Sequence, residues 1–488
     1  MRKRFFLTSI LCTLINMTIA NATPHDSISY ENEQAIEFVA NDGQTTDAFE
    51  GFIWVPENRN AKDSRKIQVS YVRFPATGKT KGAPIVYLSG GPGGSGIGTA
   101  KWRRFPLFMA LREHADVIAL DQRGAGKSDT LPKCQSDQQL PLNQKISPSE
   151  ITQKYRFAAI QCQQFWAQHN IDMLGYTTVQ NAWDLNDLRK HLGSPKISLW
   201  GISYGSHLAL AALSLFEQHI DKVIIASAEG LDQTVKLPKH TKHYFQRVQQ
   251  VIDQDDKLKA KFPDIVGLIN GVHRRLEKKP LETSVPVQDN APLPFLFQKH
   301  HMQLLASRMI ADPNQYLAML LNIYAELAQQ KTEMLTRVLS RGMFNNKPIE
   351  FRLMPLAMDV ASGISPARLK QVNTQASAGL LGDALNFPMP HLNLAIEGLD
   401  LGQQFRTPMP SDVPTLLLTG TLDGRTYVEG QNQAVAHLNN VVQVEIINAG
   451  HNLFTASPDV LSTMQDFIQG KPILKRSIVV QPTFIKHL

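Results

Sequence analysis

Four short apolar runs constrain this chain more than anything else in it: residues 83–91 (APIVYLSGG), 115–126 (ADVIALDQRGAG), 196–205 (KISLWGISYG) and 221–230 (DKVIIASAEG). Each is too short for a stable helix, is rich in aliphatic side chains and closes on a glycine-bearing loop. Between them the spacing turns helical, as in residues 179–193 (VQNAWDLNDLRKHLG). A strand with no polar face has to be covered on both sides. Strands that alternate with helices reach that state as a mostly parallel sheet, so the expected class is α/β.

The pattern differs on either side of these runs. Residues 49–59 (FEGFIWVPENR) and 66–74 (KIQVSYVRF) carry aromatic and β-branched residues split by a turn, which predicts an opening antiparallel pair. Residues 231–404 lose the strand–helix alternation and read as long amphipathic stretches, such as residues 243–262 and 313–339. The alternation resumes at residues 413–424 (VPTLLLTGTLDG) and 441–454 (VVQVEIINAGHNLF), with a terminal helix around residues 461–470. The late strands are too few to form a sheet alone. The expected organisation is therefore a leader at 1–22, a first part of the sheet domain at 23–230, a helical cap inserted after the sixth strand at 231–404, and the second part of the sheet domain at 405–488.

The leader reading rests on Arg2, Lys3 and Arg4, an uncharged apolar run, and the small-x-small sequence Ala20-Asn21-Ala22. This is the pattern of a secretory signal peptide cleaved after about Ala22, and it implies export to the periplasm or beyond. An uncleaved anchor is the alternative, against which the run is short and interrupted; lipidation at Cys12 would put Leu11 where a small residue is expected. Losing three basic residues lowers the formal net charge from +7 to +4. Without a long basic block, that balance gives no case for nucleic acid as a partner. No stable membrane anchor is expected after cleavage, and the oligomeric state stays open. Cys134 and Cys162 would remain, a plausible disulfide in an oxidising compartment, with two buried free thiols as the alternative.

Within the third run, Gly201-Ile202-Ser203-Tyr204-Gly205 matches G-x-S-x-G directly between an apolar run and a helix-compatible segment. That context predicts a sharp strand-to-helix turn that exposes the Ser203 hydroxyl, the flanking glycines letting strand and helix pass closely. A serine hydroxyl needs a base and a carboxylate to orient it, in the chain order Ser, Asp or Glu, His. Asp423 directly follows one late apolar run and His451 the next, so both are expected at the same sheet edge as Ser203. His437 falls in a predicted helix, His391 in a proline-rich stretch and His487 near the terminus. Asp412 precedes its strand and Asp459 trails the histidine. The oxyanion of an acyl transfer needs two backbone donors. Tyr204 follows the nucleophile, and the glycine loop at residues 89–96 (SGGPGGSG) supplies the other, assigned to Gly91. That loop lacks the Lys-Ser/Thr of a phosphate-binding motif, and no metal or cofactor is expected.

Taken in order, GGPGGSG, DQRGAGKSD, GISYGS, GTLDGRT and NAGHNLF resemble the prolyl aminopeptidase and tripeptidyl aminopeptidase group of α/β-hydrolase serine peptidases. VPENR and DLGQQFR resemble stretches of its exported bacterial members. The likeness covers residues 50–230 and 399–454, and much less of the cap. It implies an α/β-hydrolase fold and an aminopeptidase with Ser203 as nucleophile, His451 as general base and acid, and Asp423 orienting the histidine. Ser89 stands where the group's loop usually begins with His. Members of the group hold the substrate ammonium with carboxylates in or near the cap; Glu229, Glu350 and Asp359 are the candidates here. The expected substrates are peptides with a free N-terminus. A carboxylesterase on the same triad, and a non-catalytic binding protein on the same fold, are the alternative readings.

Overall fold

The computed structural model describes residues 30–287 and 290–488. The leader reading, with Cys12, therefore lies outside the described residues. A ten-stranded sheet organises the molecule. Its strands are β1 (Gln34–Val39), β2 (Thr45–Pro56), β3 (Lys66–Phe74), β4 (Ile85–Leu88), β5 (Val117–Leu120), β6 (Ile197–Ile202), β7 (Ile220–Ala226), β8 (Thr415–Gly420), β9 (Val441–Ile447) and β10 (Ser477–Val479). Their order across the sheet is β1-β2-β3-β5-β4-β6-β7-β8-β9-β10. β1, β2, β3 and β5 pair antiparallel, and from β5 onward every neighbouring pair is parallel. All six strands read before the insertion are present. β1 is additional, its sequence QAIEFV being too polar to stand out.

The parallel strands owe their apolar runs to cover on both faces. Along β4, Val86 and Leu88 join one cluster with residues of the helices Thr178–His191 and Tyr204–Phe216. Ile85 and Tyr87, on the alternate face, join another with Phe105, Phe108 and Leu111. Side chains two apart share a face of the pleat, so a strand buried twice must be apolar throughout.

Between β7 and β8 the chain leaves the sheet and builds a separate apolar cluster from helices that include His240–Ile252, Ile265–Lys278, Lys299–Met309 and Pro313–Ala328. This stretch is not wholly helical. Leu281–Val287 pairs antiparallel with Asn290–Phe297, where Pro286, Pro292 and Pro294 oppose helix formation. The sulfurs of Cys134 and Cys162 are within bonding distance, with Cα atoms 5.5 Å apart. Cys134 belongs to a two-residue strand pairing Glu350–Phe351 of the inserted stretch, and Cys162 to the helix Pro148–Gln168. Among the described residues no helix is long and apolar enough to cross a membrane.

Candidate active site

Ser203 sits between β6 and the helix Tyr204–Phe216 with φ 55° and ψ −126°, a left-handed conformation that non-glycine residues rarely adopt. Such strain costs on the order of 1–3 kcal/mol and persists only when the surroundings enforce it. The two glycines of the motif show how. A Cβ on Gly205 would lie 2.0 Å from the Leu88 carbonyl oxygen, and one on Gly201 would lie 2.5 Å from the Gly205 carbonyl oxygen. Strand, helix and neighbouring strand thus meet at distances only glycine allows. The Ser203 N–H donates to the Ala226 carbonyl of β7 at 3.1 Å, which fixes the turn from the other side.

Asp423 and His451 follow β8 and β9. His451 Nδ1 lies 3.0 Å from Oδ2 and 3.1 Å from Oδ1 of Asp423. An ionised carboxylate only accepts, so this contact assigns the proton to Nδ1 and leaves the Nε2 lone pair to act as a base. Asp423 is fully buried. Its Oδ1 accepts from the N–H groups of Arg425 and Thr426, each at 2.8 Å, and its Oδ2 from the Thr426 hydroxyl at 2.7 Å. Burial alone would raise its pKa, but His451 and the Thr426 donors outweigh it and hold the group below its ordinary value. The loop TLDGRT therefore carries its own anion cradle.

Ser203, His451, Gly90 and Gly91 open onto one cleft of about 930 Å³. The loop after β4 comes close to the serine: a Cβ on Gly90 would lie 3.1 Å from Ser203 Cβ. Gly91 has φ +130°, a conformation side chains resist. Tyr204 is the first residue of its helix, so its N–H has no intrahelical acceptor and is available to an oxyanion. Its ring is buried, the hydroxyl donating to Met358 Sδ at 2.7 Å. Among the described residues the Ser203 hydroxyl has no hydrogen-bond partner within 3.5 Å; nucleophile–base contacts in ligand-free hydrolases commonly tighten when substrate docks.

What holds the glycine loop was not readable as a site. The Gln122 amide donates to the Ser89 carbonyl at 2.9 Å and is itself held by Asn181 at 2.9 Å. Asp121 accepts from the Ser95 hydroxyl at 2.6 Å and the Ile97 N–H at 3.0 Å. A fixed backbone at Ser89 thus needs no histidine at that position. The DQRGAG run is the sequence signal for this support, since it carries both Asp121 and Gln122.

The three candidate ammonium-binding carboxylates separate. Glu229 is buried and lies 2.8 Å from Lys236 Nζ, so its charge is already paired. Glu350 is exposed, with Lys133 at 3.4 Å. Asp359 is half-buried on the helix Leu353–Ser362. Burial, reinforced by the charge of Glu229, pushes its pKa up to about 7, against the pull of Lys236 and Arg425. Asp359 and Glu350 line a second cavity, of about 750 Å³, which shares Leu304, Arg308 and Phe387 with the Ser203 cleft.

Known proteins share parts of this chain. Over 230 residues it is 26% identical to a tripeptidyl aminopeptidase of Streptomyces coelicolor, covering 44% of this chain and 39% of that protein. Over 186 residues it is 28% identical to serine protease Hip1 of Mycobacterium tuberculosis, covering 36% and 35%. Carboxylesterase B of the same species is 27% identical over 154 residues, covering 30% and 28%. The chain spans 39% or less of the length of these curated relatives. The model of the alpha/beta hydrolase fold family matches residues 83–458, from the strand that leads into the glycine loop to beyond His451. The sheet, the strand-to-helix turn at Ser203 and this match give one conclusion: the chain belongs to the alpha/beta hydrolase fold family.

Proposed function

We propose that this chain is a serine hydrolase that releases residues from the free N-termini of peptides, in the manner of a proline iminopeptidase or a tripeptidyl aminopeptidase. The observation that carries the proposal is His451, held 3.0 Å from the buried Asp423 and opening with Ser203 onto one cleft. In this reading His451 Nε2 takes the Ser203 proton as the hydroxyl oxygen attacks the peptide carbonyl carbon. Asp423 keeps the imidazole in the right tautomer and stabilises the imidazolium that forms. The N–H groups of Gly91 and Tyr204 receive the developing oxyanion. The C–N bond then breaks, the leaving amine takes its proton from His451, and water activated by the same histidine hydrolyses the Ser203 ester.

Similarity to a tripeptidyl aminopeptidase supports the preference for N-termini. So does the cavity beside the cleft, where Asp359 offers a carboxylate to an ammonium group, with Glu350, paired to Lys133, on the same wall. Export is part of the proposal, supported by the signal-like residues 1–22 and by the bonded geometry of Cys134 and Cys162, which suits an oxidising compartment. Carboxylesterase activity on the same residues is the second reading, favoured by the similarity to carboxylesterase B.

Assays of the purified protein on proline, alanine and tripeptide naphthylamides, beside p-nitrophenyl esters, separate the two. Turnover of the amides, with loss of turnover when the amino group is acetylated, is the expected result. Turnover of esters alone would overturn the peptidase reading in favour of the esterase.

A further inference from the structure

The walls of the Ser203 cleft have a charge asymmetry. Among the described residues they include Arg103, Arg104, Arg308 and Arg425, and neither aspartate nor glutamate. Such a cleft attracts anions, and its low-dielectric walls concentrate the field. Arg103 and Arg308 have no carboxylate within ion-pair distance among the described residues. Both are exposed. Asp312, which feels the charge of Arg103, is half-buried and turned toward the Asn452 amide at 3.5 Å.

Two of these arginines have a defined position relative to the reaction. Arg104 donates through Nη2 to the side-chain oxygen of Asn452, the residue next to His451, at 3.3 Å, and through Nη1 to the Tyr87 hydroxyl. Arg103 and Trp102 stand on the same turn, and Trp102 is 65% exposed at the cleft wall. A serine hydrolase protonates its leaving group from the histidine, so the leaving group occupies the histidine side of the cleft. The arginine turn borders that side. The adjoining cavity differs in carrying carboxylates, Asp359 and Glu350, beside its cations Lys133, Arg308, Lys347 and Arg352.

We propose that Arg103 and Arg104 form a carboxylate-binding subsite for the leaving group, so that the preferred substrates are short peptides whose departing portion carries a carboxylate close to the scissile bond. Arginine suits that task, since its planar fork pairs with both oxygens of a carboxylate. A C-terminal carboxylate and an acidic side chain share this chemistry. The subsite rests on the assignment of Ser203 and His451, and the test separates its failure from theirs.

The experiment compares kcat/KM within three substrate pairs on the full purified protein. One pair is a short peptide with a free C-terminus and its C-terminal amide. Another is an amide-capped peptide with Glu or Gln directly after the scissile bond. The third is 4-acetoxybenzoate and its methyl ester, each corrected for its rate of alkaline hydrolysis. The anionic member of at least one peptide pair is expected to be favoured about tenfold, and the anionic ester in the same direction. The ratio should shrink as salt is added, because Arg103 is exposed and Arg104 only half-buried. In Arg103→Gln/Arg104→Gln it should fall close to one. Arg103→Gln alone, at an exposed site that leaves the Tyr87 and Asn452 contacts in place, should cut it about threefold even where the double variant misfolds. Ratios of one or below in every pair for the unmodified protein, with Ser203-dependent turnover of the neutral members, overturn the subsite and leave the Ser203 assignment standing. Turnover that survives Ser203→Ala overturns both.

Discussion

Asp423 is fully buried and Asp359 half-buried, and their surroundings shift the two carboxylates in opposite directions. At Asp423 burial is outweighed by His451 and by the donors of Thr426, and the group is held below its ordinary value. At Asp359 burial wins and is reinforced by Glu229, so the group rises to about 7. The difference is one of partners, His451 first and the loop donors after it. The loop after β8 turns two backbone N–H groups and a hydroxyl onto Asp423 beside the His451 imidazole, whereas Asp359 feels the charges of Glu229, Lys236 and Arg425 and has no such cradle among the described residues. The first carboxylate is fixed as an anion by its own surroundings, and the second is the one whose ionisation a nearby cation would favour most.

The largest expected effect comes from the Asp423 side. Asp423→Asn removes the acceptor that sets the His451 tautomer, and kcat on amides and esters alike should fall about 10⁴-fold. Steady-state kinetics with circular dichroism as the fold control measures this. Asp359→Asn should behave differently: kcat/KM for peptides with a free amino group falls ~10–100-fold at pH 8, while neutral esters change less than ~3-fold. In the unmodified protein the peptide profile should carry a step that rises with pH through about 7, as Asp359 ionises. That step should be missing from the ester profile and from Asp359→Asn. Equal losses on both substrate types would erase the contrast between the two carboxylates.

Cys134→Ser/Cys162→Ser tests the bracing of the Asp359 region, because the Cys134 strand pairs with Glu350–Phe351. Chain entropy puts the loss near 3–4 kcal/mol in denaturant unfolding, by the loop-closure model. The peptide KM should rise while esterase kcat is nearly kept. The smallest effect is thermodynamic. Asp359 has a folded pKa raised above its ordinary 3.8, so its favourable contribution is complete below that value and is lost as pH rises through about 7. Asp359→Asn should therefore raise the melting midpoint by a few degrees at pH 8 and hardly at pH 4. Asp423 runs the other way. Its contribution is present above 3.8 and lost as pH falls, so Asp423→Asn should lower the midpoint at pH 8.

The same contrast explains what was legible in the sequence. Ser203, Asp423 and His451 were readable because each sits at the end of an apolar run, and strand polarity alone brings such ends to one edge. Gly201 and Gly205 were readable because the close approach they permit is a backbone requirement. Gln122 and Asn181 were not: their contact spans 59 residues, and either side chain by itself is an ordinary polar residue. Lys236, which compensates Glu229, carries no local signal either. Leu281–Val287 and Asn290–Phe297 lie inside a stretch whose spacing predicts helices, and its three prolines are the local cue against them. β10 is three residues long, too short for any period.

The central claim is that Ser203 is the nucleophile, and active-site labelling addresses it without any choice of substrate. A fluorophosphonate probe, followed by intact mass and peptide mapping, should add one equivalent to the peptide carrying Ser203. Labelling should vanish in Ser203→Ala and slow at least ~100-fold in His451→Ala. Full labelling of Ser203→Ala, or a label on another residue of the unmodified protein, would contradict the account.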